Sequence, residues 1–162
     1  MKTYFYFLRC LAVLLMAVIL LAGCSLTRPY ANTPQKNLTI WTTTDSGFLS
    51  SVRASVDIYE VDDTCQTEYL GTVKLHKPQV EVGIPVDKTS YLVFVFASSS
   101  FLANSSGTTN YDTLLKPQAG YDYYIDVSYK DDIYNVVMRE MPPDKTAGHD
   151  VEPMDLNTCN AL

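Results

Sequence analysis

The chain is 162 residues long and 47 % hydrophobic, with 12 Lys plus Arg against 18 Asp plus Glu for a formal charge of −6. That length is one domain's worth and enough to bury a core. The acidic balance argues against nucleic acid and against docking on anionic lipid through a basic patch.

Lys2 and Arg9 precede an uncharged run over 11–21 that ends in Leu21-Ala22-Gly23-Cys24. The run is about half the roughly 20 apolar residues that a spanning helix needs. A basic start, a short apolar centre and small residues before a cut are the parts of a secretory signal peptide. Here the cut falls before a cysteine, and the motif resembles the lipobox of bacterial lipoproteins. The resemblance implies that the signal peptide 1–23 is removed, that the Cys24 thiol carries diacylglycerol, and that its freed amine carries a fatty acyl group such as palmitate. In the enterobacterial form of that family an aspartate after the cysteine favours the inner membrane. Ser25 therefore implies the outer membrane, with the body in the periplasm. Two or more acyl chains anchor a protein stably without a spanning helix. Leader removal takes away two basic groups and no acids, leaving 10 Lys plus Arg against 18 Asp plus Glu, a formal charge of −8.

Residues 24–37 are polar, carry Pro29 and Pro34, and read as the lipidated N-terminus followed by a flexible tether. Beyond them short runs alternate with period 2 between turn residues, which predicts strands over 38–42, 52–61, 69–75, 79–84, 91–97, 121–129 and 133–140. The second is clearest, with Val52, Ala54, Val56 and Ile58 on one face and Arg53, Ser55 and Asp57 on the other.

Two hairpins pass a register test, since apolar residues of both strands must share a face. Pairing Leu75 with Val80 sets Val73 against Val82 and Gly71 against Ile84. Pairing Tyr129 with Tyr134 sets Val127 against Val136, Ile125 against Met138 and Tyr124 against Arg139, the last as an exposed cation–π pair. The run 91–96 does not alternate and reads as a central strand, covered on both sides. About seven strands over 38–141 predict an all-β, two-sheet antiparallel sandwich of immunoglobulin-like or transthyretin-like type, with a small β-barrel as the alternative.

The stretch 98–120 reads as a long connection, and such loops are usually functional or disordered. Its Phe101, Leu102, Leu114 and Leu115 are available to tack it onto the body. Residues 142–162 read as a polar tail. Cys10 leaves with the leader and Cys24 is modified, so an exported chain is expected to pair Cys65 with Cys159 and pin that tail.

Chemistry is sparse. His76 lies in a predicted turn and His149 in the tail beside Asp150 and Glu152, a spacing that matches no specific metal loop. The pairs Asp62-Asp63 and Asp131-Asp132 sit at strand ends, where aspartate favours turns. No catalytic residue, metal ligand or cofactor is assigned, and no phosphate loop or nucleophile elbow is present. Most tyrosines around the last hairpin point inward on this register, whereas Tyr124 points outward between Asp122 and Asp126. Phe101, Leu102, Tyr111 and Tyr124 are the candidate contacts for a protein partner.

The expected function is that of a non-enzymatic accessory or interaction module of the cell envelope, held to the membrane by its N-terminal lipid. In layout it resembles the small β-sandwich outer-membrane lipoproteins that brace secretion machinery. The alternative is a ligand-binding or inhibitor module, for example against a cationic lysozyme-like enzyme.

Overall fold

In the computed structural model, residues 27–44, 50–100, 105–130, 133–144 and 147–161 are described. Among the described residues nine strands run in chain order: β1 (Leu38–Thr44), β2 (Ser50–Val61), β3 (Thr67–Lys74), β4 (Gln79–Val82), β5 (Thr89–Ser100), β6 (Ser105–Leu115), β7 (Asp122–Lys130), β8 (Ile133–Met141) and β9 (His149–Val151). A 3₁₀ helix, Leu156–Ala161, follows.

The strands form two open sheets, ordered β4-β1-β7-β8-β9 and β3-β2-β5-β6. Every pairing is antiparallel except β1 with β7. The sheets do not close on each other, which removes the barrel alternative. An immunoglobulin arrangement places the first, second, fourth and fifth strands in one sheet. Here β1 and β4 share one sheet while β2 and β5 share the other, so the strand order is not the immunoglobulin one.

Alternation builds the core. Leu38, Ile40, Ile125 and Val127 from one sheet and Val56, Ile58, Leu92 and Phe94 from the other are buried in one cluster, each side chain contributing about 1.5–3 kcal/mol by leaving water. Their neighbours on the opposite faces of the strands are half-buried or exposed. β5 is central, between β2 and β6. Of its apolar residues only Leu92, Phe94 and Phe96 are buried, however, and Val93 and Val95 on the outer face are half-buried. Its unbroken apolar run therefore reflects an apolar outer face in place of a second cover.

The β7–β8 hairpin has the expected register throughout, including Tyr129 with Tyr134 and Tyr124 with Arg139. The other expected hairpin does not form. β3 pairs with β2, and β4 pairs with β1 in the opposite sheet, Val82 facing Leu38 and Val80 facing Ile40. Packed sheets lie about 10 Å apart, a gap that the few residues after Leu75 span at about 3.3 Å each.

The expected long connection is mostly strand. β5 continues to Ser100 and β6 returns from Ser105, paired residue for residue. Among the described residues only 116–121 remains as loop, and Leu114 and Leu115 are buried. The expected tether is likewise docked from Arg28 onward. The Thr72 amide donates to the Arg28 carbonyl at 2.8 Å, the Tyr30 amide to the Thr72 carbonyl at 3.1 Å, and the Thr33 amide to the Gly83 carbonyl at 3.0 Å. Tyr30 joins the core cluster, its hydroxyl donating to Gly83. Asn37, also buried, donates to the Ile84 carbonyl and accepts from its amide. A few polar residues thus dock the segment by giving each approaching backbone group a partner.

The tail is also built in. β9 extends the five-stranded sheet along β8. The Leu114 amide then donates to the Met154 carbonyl, and the Met154 amide to Thr113 Oγ1. Finally Cys159 is bonded to Cys65. The disulfide is the third of three attachments that carry the tail from one sheet to the other.

Candidate functional site

The parallel pairing of β1 and β7 sets Thr39 beside Tyr124 and Trp41 beside Asp126 on the outer face of the five-stranded sheet. The Trp41 and Tyr124 rings stack, with centroids 5.4 Å apart and planes 11° from parallel. Trp41 is 36 % exposed. Across β8, Arg139 faces Tyr124 in the expected register, but its guanidinium lies between Asp126 at 3.5 Å and Asp150 at 3.4 Å. Trp41 thus takes the stacking position beside Tyr124 that the sequence suggested for the arginine. These exposed ion pairs are worth at most about 1 kcal/mol; they hold two carboxylates beside the aromatic pair. With half-buried Val137 opposite Asp126, the face offers an apolar platform with acids at its edge. Reasoning from sequence picked out Tyr124 and missed Trp41, the chain's single tryptophan. Its signal was position: it alternates outward from buried Leu38 and Ile40.

The outer face of the four-stranded sheet carries a second aromatic row. Tyr59 is paired with Tyr69 on one side and Tyr91 on the other, with ring centroids at 5.3 and 5.8 Å. The Tyr91 hydroxyl donates to Asp112 Oδ2 at 2.8 Å. Tyr69, Thr72 and Asp57 are linked in a second hydrogen-bonded chain. Burial, then the hydrogen bond and charge of Asp112, push the Tyr91 pKa up to about 12. Burial and Asp57 also raise that of Tyr59. The folded state therefore favours the protonated phenol. Its contribution is complete below about pH 10, the unfolded value, and is lost as pH climbs toward 12. We expect alkaline absorbance titration to show one late tyrosine near pH 12, absent in Tyr91→Phe; a wild-type curve identical to that of the variant would contradict this network.

The remaining candidates are dispersed. Tyr111 is turned toward the core, its ring 6.2 Å from that of buried Phe94, so it is a packing residue. Cys24, Phe101, Leu102 and the pair Asp131-Asp132 lie outside the described residues. Asp62 closes the β2–β3 turn, with Oδ1 accepting from the Thr64 hydroxyl and from the Thr64 and Gln66 amides. Those bonds, the Thr64 hydroxyl first, hold its carboxyl below the usual range and shape the turn that presents Cys65. His76 and His149 are both exposed. They lie at opposite ends of the sandwich, one between β3 and β4 and the other beside Glu140 on β8. Among the described residues no group of three His, Cys, Asp or Glu side chains is placed to hold a metal ion, and no helix is long and apolar enough to cross a membrane.

Compared with protein-family models, with curated proteins and with solved structures, the chain matches none of them.

Proposed function

We propose that the chain is a lipid-anchored lipoprotein of the outer membrane whose periplasmic β-sandwich is a non-enzymatic docking module for another envelope protein. The lipobox-like run ending in Cys24 supports the anchor. The observation that carries the docking half is the stacked, half-exposed Trp41–Tyr124 pair with Asp126 at its edge. Aromatic anchors dominate interface energies. A cationic side chain of the partner is the natural complement, stacking on the indole and pairing with a carboxylate.

The test is crosslinking in cells with a photoreactive group next to Trp41, followed by affinity measurement on the captured partner. Trp41→Ala is expected to weaken binding about 30-fold, the equivalent of about 2 kcal/mol, with unchanged circular dichroism. Equal affinity of variant and wild type would remove this face from the account.

A specific feature also favours the inhibitor reading. At the end of the sandwich beside Cys159, Glu60, Asp62, Asp63 and Asp87 line an open cleft of about 450 Å³, accompanied by Lys88 and Lys116. Carboxylates grouped this way suit a cationic enzyme. Mixing the protein with lysozyme at high micromolar concentration decides it: inhibition supports the reading, and unchanged lysis removes it.

A further inference from the structure

Among the described residues of this acidic chain, charge is segregated. Arg28, Arg53, Lys74 and Lys77 are all exposed. They belong to the docked N-terminal segment, the neighbouring strands β2 and β3, and the β3–β4 connection. None of the four is ion-paired with a described carboxylate, whereas Lys88 is held by Glu60 and Arg139 by Asp126 and Asp150. Thr27, Arg53, Lys74 and His76 together line an open cleft of about 590 Å³. The acids Glu60, Asp62, Asp63 and Asp87 gather around the other cleft, at the far end of β2.

The same margin receives the chain. Arg28 is hydrogen-bonded to Thr72 of β3, and Cys24 precedes Thr27 by three residues, which span at most about 11 Å when extended. No long leash separates the body from its anchor. A lipid at Cys24 brings this basic margin within about a Debye length of the headgroups at physiological salt, where cations are attracted to an anionic surface.

Resting on the lipid anchor proposed above, we propose that Arg28, Arg53, Lys74 and Lys77 form a membrane-facing surface that seats on anionic lipid headgroups. The carboxylate-lined end then points away from the bilayer. Net charge, which argues against such docking, averages over two ends of opposite sign.

The experiment reads lysine side chains directly. Native lipidated protein is reconstituted into phosphatidylcholine vesicles with or without phosphatidylglycerol, briefly treated with an amine-acylating reagent, and analysed by mass spectrometry. Lys74 and Lys77 are expected to react several-fold more slowly on the anionic vesicles, while Lys88 and Lys116 are unchanged. The protection is expected to disappear in 0.5 M salt, taken from the Debye scale of roughly 3 to 10 Å. In an Arg53→Glu, Lys74→Glu variant that stays vesicle-bound, Lys77 is expected to lose its protection. Equal reactivity on both vesicle types overturns the proposal and leaves the anchor standing. Failure to float with neutral vesicles instead overturns the anchor. Protection by inorganic phosphate without vesicles shows a small-anion site and overturns the surface.

Discussion

Replacing Cys159 with Ser is expected to lower the unfolding free energy by about 4 to 5 kcal/mol, the value the chain-entropy model assigns to a loop of this length. The bonded cysteines are 94 residues apart, and the closed loop contains β3 through β9. At about 4 °C per kcal/mol the melting temperature falls by roughly 16 to 20 °C. The loss is not confined to the tail. The segment 149–161 runs from the β8 edge of one sheet, through the Met154 bonds to β6 of the other, to the β2–β3 turn. Releasing its last attachment leaves three residues of β9 and the two Met154 bonds, each worth about 1 kcal/mol net. Hydrogen exchange is expected to accelerate first at 156–161 and then in β9. Thermal melts with and without reductant check the magnitude; a shift under 3 °C, set against the scale of roughly 4 °C per kcal/mol, would show that the other attachments suffice.

The second large effect is expected at Gly83. A methyl group there would lie inside van der Waals contact of the Thr33 and Gln35 carbonyl oxygens. Both are backbone atoms, so the docked segment must move away. Its departure loses the Thr33 amide bond to Gly83 and the Gly83 amide bond to Asn32 Oδ1, and strains the Tyr30 hydroxyl bond to Gly83. Two hydrogen bonds at about 1 kcal/mol each plus overpacking put Gly83→Ala at about 3 kcal/mol. The functional consequence is a longer leash. Trypsin is expected to cut the variant after Lys36 and free the body from its N-terminus, while the wild type resists. Matching digestion patterns would contradict the docking of 27–37.

The β7–β8 register was legible because Ile125, Val127, Val136 and Met138 share one face and the turn between their strands is short. The same test passed for Leu75 with Val80 and failed in the structure. Both strands do present apolar residues to the core, but from opposite sheets, and alternation reports which face is buried without reporting which sheet owns the strand. β6 went unread because Ser105 to Asn110 is exposed on the described positions of both faces, so no period marks it and only pairing with β5 orders it. β9 is three residues long and borrows its order from β8. Tyr30 and Asn37 show why the tether was misjudged: one aromatic ring and one buried amide, each matched to a backbone partner, dock a segment whose composition is that of a linker. At the candidate site, Tyr124 followed from the hairpin register. Trp41 needed the parallel β1–β7 pairing, a long-range contact that no local pattern encodes.

The pairing of Cys65 with Cys159 came from counting thiols once the leader and Cys24 are set aside. That count rests on the same premise as the proposed location. Intact-mass and N-terminal peptide analysis of the protein purified from native envelopes tests that premise most directly. The account predicts a chain that begins at Cys24 and carries diacylglycerol and a fatty acyl group. A chain that begins at Cys24 or elsewhere without lipid would contradict it.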